Sequence, residues 1–334
     1  MSRTSSLRKQ QGGAAIVTAM LTVALVATLA AGSLWQQWRS IEIESAQRGR
    51  AQAAWILVGA LDWGRLILRE DARTSPYDHL AEPWAVPLEE AKLATFFAAQ
   101  GSSTDDKDII QAYLSGRITD MQSRLNLRNL VDNGRVSLVA LRQFGKLFDL
   151  LGLPEAELNR FAENLRFALD TSADNQNANR APLLPQRYAQ LGWLGLSPKT
   201  LTRLQNFATW LPERTPVNLN TAPAEVIYAS IAEDDMALAR RLVTARGLSH
   251  FKSLAEAEKM LRDVPGQLAE GQHSVASRYF EVQGQLRLDD LLVRERSLVV
   301  RDANEVKTLW RERMTPHLTA AALPTMAINP NLKP

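Results

Sequence analysis

Residues 14–34 read AAIVTAMLTVALVATLAAGSL, directly after Lys9-Gln10-Gln11-Gly12-Gly13, and carry no charged side chain. A helix of 21 residues rises about 30 Å, the thickness of a bilayer core. Arg3, Arg8 and Lys9 lie upstream, and the first 13 residues contain no acid. Basic residues beside a span stay on the cytoplasmic side. The expected topology therefore has a cytoplasmic N-terminus and a large body across the membrane.

That body is globular in composition. The chain has 334 residues, 46% hydrophobic and 22% charged, with 17 Gly and 15 Pro, which suits two or three domains. The formal charge of +3 equals that of Arg3, Arg8 and Lys9, and beyond them 36 bases face 36 acids. A balanced body lacks the concentrated basic face of a nucleic-acid binder. Without cysteine there are no thiolate metal sites, Fe–S clusters, thiol catalysis or disulfides. His79, His250, His273 and His317 lack metal-site spacing. Neither a Gly-x-Ser-x-Gly elbow, a P-loop nor a Rossmann glycine run occurs. The pairs Glu89-Glu90, Asp105-Asp106 and Asp234-Asp235 read as solvated faces. No enzyme is expected.

Three readings compete for the apolar stretch: a secretory signal cut near Thr28-Leu29-Ala30, an uncleaved anchor, and a leader cut ahead of an anchor that remains. The run Lys9-Gln10-Gln11-Gly12-Gly13 followed by Ala14-Ala15-Ile16-Val17-Thr18 resembles a type IV prepilin leader. That resemblance implies cleavage after a glycine by a prepilin peptidase and methylation of the new N-terminus. Gly13 and Ala14 would flank the cut and Thr18 would become the fifth mature residue; a cut after Gly12 would place Val17 there. Most members carry glutamate at that position. The absence of Glu, together with the chain length, resembles the minor pseudopilin K family of the type II secretion system.

No proline precedes Pro76, so one helix is expected from Ala14 to about Arg69. Trp38, Ile41, Ser45, Ala51, Trp55, Val58 and Leu61 or Asp62 recur at helical intervals. Trp35 and Trp38 read as an interfacial belt, Trp55 and Trp63 as core anchors. Pro76, Pro83 and Pro87 end the run, with Trp84 packing locally. Residues 88–99 have helix-like spacing, and 101–106 read as a turn or exposed loop.

Residues 118–127 read as extended. Gly116, Asp120, Arg124, Leu125, Asn126 and Leu127 match strand text of K-type pseudopilins; Asp120 and Asn126 are expected to order turns through backbone hydrogen bonds. Helices are expected over 138–151, from Pro154 onward, from Ser197-Pro198 through Phe207 to near Trp210, and over 236–246 with Gly247 just beyond the end. Ser253-Leu254-Ala255-Glu256 reads as a capping box. The stretch Val217-Asn218-Leu219-Asn220-Thr221-Ala222-Pro223-Ala224-Glu225 is K-family text, although helix-hairpin-helix DNA modules have similar openings; Arg240, Arg241 and Arg246 would then grip phosphates. Residues 170–179 are rich in side-chain oxygens. Asp170, Asp174, Asn175 and Asn177 form a candidate Ca2+ set, with a polar loop as the alternative. Residues 274–288 and 291–301 alternate like two antiparallel strands, with a phase slip at Phe280 that suggests a bulge or edge.

The expected fold is α+β: a pilin-like long N-terminal helix packed on a small antiparallel sheet, with a large inserted all-helical domain. The divisions are a leader (1–13), a transmembrane segment (14–34), a periplasmic helix with the first part of the sheet domain (35–127), the helical insertion (128–270), the last strands (271–314) and a loose tail (315–334). The resemblance implies a single-pass inner-membrane protein incorporated into a periplasmic pseudopilus. Its implied partners are the minor pseudopilins I and J, then H, the major pseudopilin G, the prepilin peptidase, the inner-membrane assembly platform and secreted substrates. No cofactor is required beyond a candidate Ca2+. The competing class is a membrane-anchored periplasmic binding module for substrate or DNA.

Overall fold

The computed structural model describes residues 12–93, 112–170, 172, 178–288 and 291–314. The proline-free N-terminal stretch forms one helix, α1, over Gly12–Thr74. Its apolar part is the one helix among the described residues long and apolar enough to cross a membrane. The chain divides into two compact units, residues 1–56 and 57–334.

In the second unit, the end of α1 buries Leu57, Leu61, Leu68 and Asp71. Leu61 lies on the expected stripe and is buried, but Ala51 is exposed and Val58 only half-buried. Trp55 lies two residues before Leu57, about 200° around a helix, and is 76% exposed rather than a core anchor. Trp63 is half-buried. Leu61 and Leu68 pack with Trp84, Phe280, Val282, Val299 and Val306.

These residues cover one face of a five-stranded antiparallel sheet. Its strands are β1 (Leu88–Lys92), β2 (Ala112–Asp120), β9 (Tyr279–Leu288), β10 (Leu291–Asp302) and β11 (Glu305–Met314), and they lie side by side in that order. Between β2 and β9 in sequence lie two-residue strands: β3 (Leu125–Asn126) beside β6 (Ala208–Thr209), β4 (Val131–Asp132) beside β5 (Arg135–Val136), and β7 (Val217–Asn218) beside β8 (His273–Ser274). Met121, Leu211, Tyr279 and Leu298 form a smaller core elsewhere on the sheet. Alternation along a strand separates Phe280 and Val282 from Tyr279 on opposite faces.

Several expectations change. Residues 88–92 form a strand, not a helix. A register shift between Leu88 and Ala91 in the β1–β2 pairing mimics the three-residue helical interval. The slip at Phe280 is not a bulge: β9 pairs regularly with β2 and β10, and the pattern breaks because residues 279–282 are buried consecutively. The helix opened by Ser197-Pro198 stops at Leu204, because Ala208–Thr209 turns to pair with Leu125–Asn126. The 236–248 helix continues through Gly247 to a cap at Ser249. Residues 94–99, the 101–106 loop and the tail from 315 lie outside the described residues.

The helical section has its own core. Helices Leu138–Leu150, Glu155–Leu169, Pro198–Leu204, Ala224–Ser230, Met236–Leu248 and Leu254–Glu258 bury Phe144, Phe148, Phe161 and Ile227, among others, in one cluster. Ser137, Ser197, Asp235 and Ser253 cap four of them by accepting from backbone N–H groups, each worth about 1 kcal/mol.

Gly64 sets how closely α1 approaches the sheet, since a Cβ there would lie 2.7 Å from Val282 Cγ1. Gly64→Val is expected to destabilise the full chain by about 1–3 kcal/mol through overpacking. At Gly59 a Cβ would meet nothing within 4 Å, and Gly59→Ala should stabilise by up to about 1 kcal/mol through helix propensity. Denaturant unfolding in detergent compares the two.

Candidate functional site

Asp120 ends β2 and is 3% exposed. Its Oδ1 accepts from the Gln122 amide at 2.7 Å, the expected turn-ordering contact. Its Oδ2 accepts from Thr221 Oγ1 at 2.5 Å, Ser277 Oγ at 2.7 Å and Asn218 Nδ2 at 3.0 Å. Three distant stretches thus converge on one carboxylate. Asn218 Nδ2 also reaches the Asp78 carbonyl at 3.1 Å and Ser277 Oγ at 3.0 Å. Asn218 Oδ1 accepts from the Asn220 amide. Asn220 then pairs with the backbone of Phe251, donating to its carbonyl at 2.9 Å and accepting from its amide at 2.8 Å. Arg246 donates to the Leu219 carbonyl. Asn126 likewise orders backbone, accepting from the Arg128 and Leu211 amides and donating to the Glu213 carbonyl.

A second carboxylate group adjoins this one. Asp71, Asp78 and Glu82 each place an oxygen within 4.8 Å of the others, and all three are buried. Arg301 is the cation among them: it donates to Asp71 at 2.9 Å, to Asp78 at 2.5 and 2.6 Å, and to the Ser277 carbonyl. Burial, with Glu82 and Asp78 nearby, still raises the Asp71 pKa to about 7. Burial raises Asp120 to about 6. Glu82 Oε2 accepts from Trp84 Nε1 at 2.7 Å and the His79 amide at 2.9 Å. His79 and His250 stack with centroids 3.8 Å apart and planes at 5°. No sequence spacing announced that pair, and its parallel rings do not form a convergent ligand set.

The residues singled out by sequence fall in separate places. Gly13, Ala14 and Thr18 lie in the opening turns of α1. Thr18 Oγ1 donates to the Ala14 and Ala15 carbonyls at 2.9 and 3.0 Å. Asp170 caps the 155–169 helix, and its Oδ1 accepts from Ser172 N and Oγ. Those bonds hold its pKa below the usual range. Asp174, Asn175 and Asn177 lie outside the described residues. The candidate DNA-gripping arginines do not act together. Arg240 is exposed, Arg241 pairs with Asp263 at 3.0 Å, and Arg246 turns inward.

A long N-terminal helix whose end packs on an antiparallel sheet, with a helical section attached through buried side chains, defines a pilin-like subunit. Two models of the family "Type II secretion system (T2SS), protein K" match the chain, one over residues 217–276 and one over residues 123–213. Type II secretion system protein K of Pseudomonas aeruginosa is 30% identical over 305 residues, covering 85% of this chain and 87% of the relative. The protein K of Pectobacterium carotovorum subsp. carotovorum is 26% identical, with 92% and 97% covered. A chain from the crystal structure of the GspK-GspI-GspJ complex of enterotoxigenic Escherichia coli shares the fold, with TM-score 0.61, 18% identity, and 81% of this chain and 98% of that one covered. The chain belongs to the type II secretion system protein K family. It is a minor pseudopilin.

Two measurements probe the junction. Asn218→Ala removes an amide that holds Asp120, Asp78 and Ser277, and should cost about 2–4 kcal/mol in denaturant unfolding. A carboxyl whose folded pKa is raised contributes stability that is full below its unfolded value and is lost as pH rises through the folded one. Asp71, raised to about 7, should therefore make the protein more stable by about 1 kcal/mol at pH 6 than at pH 8. Asp71→Asn should flatten that difference. His273 acts oppositely: burial lowers its pKa to about 4, so its contribution is present above about 6.5 and declines as the pH falls toward 4.

Proposed function

We propose that this chain is an inner-membrane pseudopilin cleaved after Gly13, N-methylated on Ala14, and placed once at the tip of a periplasmic pseudopilus. There it would join the I and J minor pseudopilins, start assembly and support export of folded proteins. Family membership and the uncharged opening of α1 support this reading. A mature subunit with Thr18 in fifth position carries no side-chain carboxylate there to pair with a neighbouring subunit's N-terminus. The helical section, read as an insertion over 128–270, would also crowd a thin fibre if repeated along it. The Escherichia coli K protein of similar fold was crystallised as a complex with GspI and GspJ, which favours the same association here. H, the major pseudopilin G, the prepilin peptidase and the assembly platform follow from the same reading.

The candidate calcium set stays a proposal resting on Asp170 and the oxygen-rich residues after it. The competing binding-module reading for DNA is disfavoured by the neutral body and by the inward turn of Arg246.

Intact-mass analysis of membrane-extracted protein tests processing: methyl-Ala14 is expected. An unprocessed Met1, or a start near Ala31, overturns the leader assignment. Co-expression of the full chain with the I and J proteins should yield a stoichiometric complex on affinity purification, and its absence would remove the tip assignment.

A further inference from the structure

Asp71, Asp78 and Glu82 are three buried carboxylates with one cation among them. Arg301 bonds Asp71 through Oδ2 and Asp78 through both oxygens. Glu82 is 6% exposed. Its Oε2 is engaged by Trp84 and the His79 amide, but its Oε1 is enclosed and has no hydrogen-bond partner among the described residues. A buried carboxylate oxygen left without a donor or a counter-ion is costly.

The histidine pair beside this group does not supply the missing charge. His79 Nδ1 accepts from the Ala81 amide at 3.2 Å, so that nitrogen carries no proton and the ring is neutral. Its Nε2 stands 3.7 Å from Glu82 Oε1, beyond hydrogen-bond reach. Burial, with His79 and Lys252 nearby, lowers the pKa of His250. The group therefore holds more negative charge than positive. Burial together with Glu82 and Asp78 raises Asp71 to about 7, in keeping with that excess.

Each of the three carboxylates places an oxygen within 4.8 Å of the others. Two oxygens held by one Ca2+ at about 2.4 Å lie at most about 4.8 Å apart, whereas Mg2+ draws its ligands to within about 4.2 Å. A divalent cation would bring the three carboxylates and Arg301 to neutrality. The donors are hard oxygens, and His79 Nε2, which carries the proton of its ring, is not a ligand. We propose that Asp71, Asp78 and Glu82 form a Ca2+ site, Glu82 binding through Oε1 and Asp71 through the oxygen that Arg301 leaves free, with water completing the shell. The ion would tie the last turn of α1 to the 75–82 loop, next to the bond that Arg301 already makes from β10. Leu80, between Asp78 and Glu82, is 57% exposed, so the loop over the site is a thin cover with a short path to solvent. The site is separate from the candidate set at Asp170, and it does not depend on the tip assignment.

The test is Tb3+ luminescence of the full chain in detergent, with Tb3+ standing in for Ca2+. Trp84, whose Nε1 bonds Glu82 at 2.7 Å, is placed to sensitise an ion held there. Sensitised emission is expected, and Ca2+ should displace it at concentrations at least about tenfold below those of Mg2+. Glu82→Gln and Asp71→Asn each remove a charged ligand and should weaken Ca2+ by about tenfold or more. Asp170→Asn should leave this emission in place. Thermal unfolding separates loss of the ion from loss of the fold. Ca2+ should raise the melting temperature of the unsubstituted chain but not that of Glu82→Gln. In chelator, Glu82→Gln should melt no lower than the unsubstituted chain, because its amide can donate to Asp71 where the carboxylate repels it. The inference is overturned by absence of sensitised emission, by displacement with Mg2+ as readily as with Ca2+, by Glu82→Gln binding as tightly as the unsubstituted chain, or by emission that disappears in Asp170→Asn.

Discussion

The Asp120 carboxylate is the point on which the second unit depends. One buried oxygen accepts from Asn218, Thr221 and Ser277, residues 98, 101 and 157 positions away in sequence. An isolated buried carboxylate is costly, and the cost is offset only when its lone pairs are filled. The end of β2, the turn that opens the 224–230 helix and the approach to β9 must therefore all be in place for any one of them to be satisfied. Apolar packing alone would tolerate small displacements among them. A carboxylate with several donors does not, because each donor must lie within hydrogen-bond reach.

Asn218, Asn220 and Thr221 follow from this. The amide of Asn218 presents donors on one side and an acceptor on the other, so it serves Asp120 and Ser277 while ordering its own turn through Asn220. Asn220 behaves like a short strand toward Phe251, giving and receiving one bond. An Asp at 218 would lose the donors and set a second charge against Asp120. A Ser would be too short to join Asp78 to Asn220. Arg301 does for Asp71 and Asp78 what Asn218 does for Asp120, tying the end of α1 to β10.

Much of this was legible in sequence. The long helix followed from absent prolines, the β9–β10 hairpin from alternation, and the caps at Ser197 and Ser253 stand where Ser precedes apolar periodicity. The backbone-ordering roles of Asp120 and Asn126 were readable from their residue types. What was not legible depended on partners. Trp55 and Leu57 are equally apolar, and only the sheet determines which is covered. The interval from Leu88 to Ala91 fits a helical turn or a bulged edge strand, and pairing with β2 decides. Burial on both faces hid the alternation at residues 279–282, and β11, with Lys307, Arg311 and Arg313 interleaved, lacked an apolar signature. The convergence of Asp71, Asp78, Glu82 and Arg301, and the stack of His79 on His250, could not be inferred from spacing because loops bring the residues together.

The opening of α1 is governed by the opposite rule. Where the junction concentrates charge around Asp120 and Arg301, the first turns of the helix present none. Thr18 is the polar side chain in the fifth mature position under the Gly13 reading, and its hydroxyl donates to carbonyls of its own helix. In hydrocarbon, an unmet donor costs several kcal/mol, and threonine meets that cost without a neighbour. A glutamate could not: ionised, it would require a cation from another chain, and protonated, it would still carry an acceptor in need of a donor. The side chain at this position therefore decides whether the helix in lipid is self-sufficient or makes a demand on another subunit. Under the Gly13 reading, then, nothing in the opening turns of this helix waits on a neighbouring chain.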